Sequence, residues 1–187
     1  MIHMIKRDCK ENKNLSKGYN CHFNFSSKSF LISKILVLLL LIGINTYAQE
    51  IKKMKIAELE TYIRQSDHPL VVNFWATFCV PCVKEIPIFQ EVVAKYKTVE
   101  LLLVSLDLPA YYPAKISSFA KEKKFTATII WLNETNADYF CPRIDKKWSG
   151  AIPSTLFINN KTKYRRFFER ELKEAEVEEN VRNFRLE

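Results

Sequence analysis

The chain has 187 residues, 48% of them hydrophobic and 27% charged, with a formal net charge of +8. That length suits one domain able to bury its own core. Seven Lys/Arg and two Asp/Glu precede residue 49, so residues 49–187 carry only +3 and the net charge gives no argument for nucleic-acid binding.

The first segment reads as a leader. Seven basic residues from Lys6 to Lys34 precede the ten-residue apolar run Ile35 to Ile44, and Asn45-Thr46-Tyr47-Ala48 follows. A basic region, a short apolar region and a small residue at the expected cut describe a secretory signal peptide over 1–48. An uncleaved anchor is the alternative, although the run is short of the roughly 20 residues that a membrane span needs. Export leaves a 49–187 domain with three of the five cysteines, Cys79, Cys82 and Cys141. A disulfide scaffold would carry even, dispersed cysteines. A Cys-x-x-Cys pair with one cysteine left over points instead to thiols that react.

Within 49–187, apolar residues at Ile56, Leu59 and Ile63 predict a short amphipathic helix over Ile56 to Gln65. Leu70 to Trp75 is almost continuously apolar and predicts a strand covered on both faces. Pro81 to Lys97 reads as a helix with Ile86, Phe89, Val93 and Tyr96 on one side. Pro87 lies inside it, where the ring should bend the axis. Leu101 to Leu106 predicts a second buried strand, which completes a βαβ unit. Pro109 and Pro113 then bracket a loop, Ala114 to Lys124 reads as a helix, Ala127 to Leu132 as a strand and Asn133 to Asp138 as a turn. Ser154 to Asn159 and Lys163 to Glu169 alternate around Asn159-Asn160-Lys161 in the manner of a hairpin. Leu172 to Leu186 closes the chain as a helix with Val177, Val181 and Phe184 facing inward. The expected fold is α/β: a central mixed sheet with a parallel βαβ half and an antiparallel ββα half, flanked by helices.

The octet Trp75-Ala76-Thr77-Phe78-Cys79-Val80-Pro81-Cys82 falls where the first strand turns into a helix. Two thiols at that spacing can close a small disulfide ring. The first is at a helix N-terminus, where the dipole and free N–H groups favour a thiolate. A zinc site is the competing reading, with Cys79, Cys82, Cys141 and His68 as a Cys₃His set, but the spacing lacks paired knuckles. No metal site is assigned.

Phe74-Trp75-Ala76-x-x-Cys79-x-Pro81-Cys82, followed by Pro87, resembles the active-site segment of the thioredoxin fold. Cys82-Val83-Lys84-Glu85-Ile86-Pro87 and Ile152-Pro153-Ser154-Thr155 resemble, more closely, the exported TlpA/ResA-like thioredoxins. The resemblance implies a thiol–disulfide oxidoreductase with Cys79 as nucleophile and Cys82 as the resolving thiol. It implies that Glu85 moves the proton of Cys82, because Asn73 stands where thioredoxins carry a titrating Asp. It implies a cis-Pro153 facing the dithiol, with the Ile152 backbone pairing to an extended substrate, and Trp75 as part core, part site floor. Trp148 is either a wall of the substrate surface or a packing residue. No cofactor is implied. The expected partners are protein substrates bearing disulfides or thiols and a membrane thiol-electron carrier, with no nucleic acid. The expected location is extracytoplasmic and periplasmic, and the expected role is that of a reductant, as in cytochrome c maturation. A copper chaperone or a binding module on the same fold is the alternative.

Overall fold

In a computed structural model, residues 50–183 are described; the leader expected over 1–48 and the inward-facing Phe184 expected of the last helix lie outside them. Leu70–Trp75 forms strand β2, whose six residues are all buried. It is the fourth strand in a six-stranded sheet of order β1-β4-β3-β2-β5-β6. β3 (Glu100–Ser105) and β4 (Thr128–Leu132) run parallel to β2, and so does the short edge strand β1 (Lys52–Met54). β5 (Ser154–Asn159) runs antiparallel to β2, and β6 (Tyr164–Phe168) antiparallel to β5. The sheet is therefore mixed, as the sequence predicts.

Side chains alternate along a strand, so each of the two faces collects its own core. Val71 and Trp75 point to one face, where they meet Cys82, Ile86 and Phe89 of helix α2 (Val80–Ala94). Helices α3 (Ala114–Glu122) and α5 (Glu174–Asn183) cover the same face through Ile116, Val177 and Val181. Leu70, Val72 and Phe74 point to the other face, against Leu59 of α1 (Ile56–Gln65) and Phe140 of α4 (Ala137–Ile144). Among the described residues no helix is long and apolar enough to cross a membrane.

Three details differ from the pattern reading. β1 is Lys-Lys-Met and carries no apolar alternation; its place is set by backbone pairing with β4 from Lys52↔Ile130 to Met54↔Leu132. Helix α4 overrides Pro142, because burial of Phe140, Cys141 and Ile144 outweighs the missing N–H. Helix α2 ends at Ala94 rather than Lys97, where Lys95 N and Tyr96 N donate to the carbonyls three residues back, at 3.1 and 2.8 Å. Pro87 lies inside α2.

Phe157 on β5 is fully buried, with its ring 6.3 Å from Phe89 and 5.9 Å from Phe168. Replacing it by alanine is expected to cost about 3–5 kcal/mol of folding stability, read as a lowered urea midpoint with an unchanged m-value.

Candidate active site

The turn from β2 into α2 is held from below and behind. Leu106 N donates to Trp75 O at 2.8 Å and Cys79 N to Ala76 O at 3.0 Å. The buried carboxylate of Asp107, just past β3, accepts from Thr77 N at 3.1 Å, Thr77 Oγ1 at 2.6 Å and Ser105 Oγ at 2.8 Å. Trp131 Nε1 donates to the carbonyl of Asp107 at 2.8 Å. Asp107 thus binds the loop before the first cysteine to the neighbouring strand. The local pattern does not single out Asp107 for this role; an acidic residue closing a buried apolar run is the signal for it.

Cys79 is the N-cap of α2, and Pro81 stands in its first turn, where its missing N–H costs nothing. Cys79 and Cys82 are joined by a disulfide, with Cα atoms 5.3 Å apart. Cys82 N donates to Cys79 Sγ at 3.4 Å. Cys79 keeps 8% of its surface exposed and Cys82 none, so only Cys79 is open to an approaching sulfur. Phe78 and Val80 flank it, 66% and 64% exposed, and Leu108 is 63% exposed.

Opposite the disulfide, the Ile152–Pro153 peptide is cis, and the Ile152 carbonyl oxygen lies 3.8 Å from Cys79 Sγ. The cis bond at Pro153 is the one the resemblance implies, while the expectation for Trp75 is corrected. Trp75 is fully buried against Phe119 and Phe125 and presents no surface to a substrate. Pro153 is buried too, which leaves the half-buried Ile152 as the reachable member of the predicted substrate-binding set.

Glu85 is buried under the pair, one helical turn beyond Cys82 on α2. Its Oε1 accepts from Asn73 Nδ2 at 2.8 Å and its Oε2 from Leu172 N at 2.9 Å. Asn73 Nδ2 also donates to Thr155 Oγ1 at 3.0 Å. Desolvation pushes the Glu85 pKa up to about 7, while the two hydrogen bonds pull the other way. A buried carboxyl that titrates near neutrality can take or give a proton at physiological pH.

The other singled-out residues lie elsewhere. Cys141 belongs to the core of the opposite sheet face, and desolvation pushes its thiol up to about 11. His68 stands just before β2, at the end away from Cys79, between Asp67 and Glu100 at 2.8 Å each. The Cys₃His set is not assembled. Trp148 is buried against Phe74, Phe140 and Phe167, with Nε1 donating to Ala151 O at 2.9 Å, so it packs rather than lines a surface.

A sequence profile of the AhpC/TSA family matches residues 45–166. The chain belongs to this family. Its ResA-like resemblance is borne out: the thiol-disulfide oxidoreductase ResA of Oceanobacillus iheyensis is 50% identical over 40 residues, 20% of this chain and 21% of that protein. Chloroplastic thioredoxin Y of Oryza sativa subsp. japonica is 32% identical over 113 residues, 60% of this chain and 61% of that one. The chain therefore spans about a fifth and three-fifths of these curated relatives. Among solved structures, a thioredoxin-related protein from Neisseria meningitidis serogroup B superposes with a TM-score of 0.54 at 24% identity, covering 65% of this chain and 88% of that one. The thioredoxin domain of a thiol-disulfide oxidoreductase from Bacteroides vulgatus gives 0.50 at 17% identity, covering 66% and 82%. These likenesses show the thioredoxin fold.

Two outcomes follow from the burial of Glu85 and Cys141. Folding raises the Glu85 pKa above its ordinary value of 4.5, so the native state holds a proton that the unfolded chain releases. The associated stability is fully present below pH 4.5 and is lost as pH rises through about 7, a change of about 3 kcal/mol. Urea titrations across that range should show the slope in the wild type and its loss in Glu85→Gln. In reduced native protein, thiol titration near neutral pH should not count Cys141, which reacts only after denaturant is added.

Proposed function

We propose that this protein is an exported thiol–disulfide oxidoreductase that reduces disulfides in polypeptide substrates. The observation that carries the reading is the placement of the Cys79–Cys82 disulfide: at the N-terminus of α2, accessible through Cys79 alone, and facing the Ile152 carbonyl of the cis-proline loop. In the reduced protein the helix N-terminus favours the Cys79 thiolate. That thiolate attacks one sulfur of the substrate disulfide, forms a mixed disulfide and expels the other substrate sulfur as a thiolate. Cys82 gives its proton to the Glu85 carboxylate and attacks Cys79 Sγ. The second substrate thiolate leaves, and the protein's own disulfide holds the two electrons' worth of oxidation. Before the next cycle an external dithiol must reduce it.

Export rests on the basic segment and apolar run that end at Ile44. It places the protein outside the cytoplasm, with a membrane thiol-electron carrier as the source of reducing equivalents. Apocytochrome c, whose haem-binding thiols must be kept reduced, is the substrate that the ResA-like resemblance favours. The exposed Phe78 and Val80 on either side of Cys79 suit an apolar polypeptide segment better than a small polar thiol.

The purified protein should reduce insulin disulfides with dithiothreitol as donor, and Cys79→Ser should abolish the activity. Cys82→Ser should instead accumulate a mixed disulfide with substrate, visible on a non-reducing gel. A titration against glutathione should place the couple below about −200 mV; a value near −120 mV would make the protein an oxidant. The rate of reaction should rise with a pH inflection near the Glu85 value of about 7, and Glu85→Gln should lack that inflection.

A further inference from the structure

The loop in front of Pro153 is held by a carboxylate from another strand. In the β5–β6 hairpin, Thr155 lies opposite Phe168, so Glu169, the next residue, comes level with the chain entering β5. Its Oε1 accepts three hydrogen bonds from that chain: Ser149 N at 3.0 Å, Ser149 Oγ at 2.5 Å and Ala151 N at 3.0 Å. A carboxylate oxygen with several lone-pair sites accepts such a cluster with charge assistance. Burial pushes the Glu169 pKa up, yet the bonds from Ser149 and Ala151 outweigh it and hold the carboxyl below its ordinary value.

Two further contacts complete the loop. Trp148 Nε1 donates to Ala151 O at 2.9 Å, so both backbone groups of Ala151 are engaged. Gly150 between them has φ +96°, and a Cβ there would stand 3.6 Å from Cys141 Sγ. A side-chained residue would be strained in that conformation. Ile152 follows Ala151, with its carbonyl oxygen 3.8 Å from Cys79 Sγ.

We propose that Glu169 is a positioning residue that pins the Ser149–Ala151 loop so that Ile152 offers its backbone to a polypeptide at the Cys79 sulfur, favouring extended polypeptide disulfides over small ones. An extended substrate adds to an edge only if that edge is already in register, since ordering a loose loop on binding weakens association. A small disulfide with no backbone needs only the accessible part of Cys79. Glu169 therefore acts on selectivity, through Ile152, and touches no reacting atom. The inference rests on the oxidoreductase reading for its kinetics, while the clamp itself is open to a separate measurement.

The experiment compares the full chain with Glu169→Ala and Glu169→Gln, using insulin and the neutral bis(2-hydroxyethyl) disulfide as substrates. For Glu169→Ala the ratio of kcat/KM on insulin to that on the small disulfide should fall roughly tenfold, mainly through KM. Glu169→Gln keeps an amide oxygen for the same three donors and should recover most of the ratio. Equal losses on both substrates, an unchanged ratio, or a Gln variant no better than Ala would overturn the proposal. Amide exchange supplies the second readout: Ser149 and Ala151 should exchange at least tenfold faster in Glu169→Ala. Unchanged exchange would overturn the clamp whatever the kinetics show. A wild type that reduces neither substrate would sink the oxidoreductase reading, with the exchange result then deciding the clamp alone.

Discussion

The carboxylate of Glu85 sits where three elements meet, and its hydrogen bonds join helix α2 to β2 through Asn73 and to the chain entering α5 through Leu172. Taking that group out of water is unfavourable by itself, and two donors offset only part of the cost. The result is a carboxyl that titrates near neutrality one turn from the buried cysteine. Asn73 matters here because it donates both amide hydrogens, to Glu85 and to Thr155, and carries no charge of its own. An acid at that position would set two carboxyls side by side, where they cannot readily both ionise and one of the two pKa values is driven strongly up. In the Asn73–Glu85 pair, one partner only holds and the other also titrates.

The sheet divides the chemistry of the chain as cleanly as it divides the packing. Cys79 and Cys82 belong to the α2 face and Cys141 to the α1 and α4 face. A thiol pushed up to about 11 behind a strand layer does not enter exchange with the redox pair. Strand alternation therefore keeps the odd cysteine inert without any dedicated feature.

Two surface loops meet at the Cys79 sulfur, and each is tied by a carboxylate from a neighbouring strand end. Asp107 takes the donors of Thr77 on one side, and Glu169 takes those of Ser149 and Ala151 on the other. Between these ties lies the 3.8 Å contact of Cys79 Sγ with the Ile152 carbonyl. The rigid elements bring the two loops near each other; the carboxylates set their detailed course. A disulfide on loops alone would lack the reproducible approach that strand addition requires.

Most elements were legible in the sequence because their signals are local. The β2 run, the 56–65 helix and the β5–β6 hairpin each show their periodicity within a few residues, and the cysteine spacing with Pro81 marks a helix start. β1 and α4 were not legible: one is a polar edge strand held by backbone bonds to β4, the other a helix containing Pro142 that forms for the sake of its buried side. The roles of Trp75 and Trp148 depended on which face each ring enters, which no pattern of spacing states. So the chain by itself determined that one thiol caps a helix at the end of a buried strand with a second thiol one turn on, since dipole, spacing and apolar run are properties of contiguous residues. Tertiary structure alone decided that Glu85 is desolvated, that Cys141 is walled off and that Glu169 reaches back 18 residues to Ala151. Those are consequences of burial and of strand register, which exist only once distant segments have packed together.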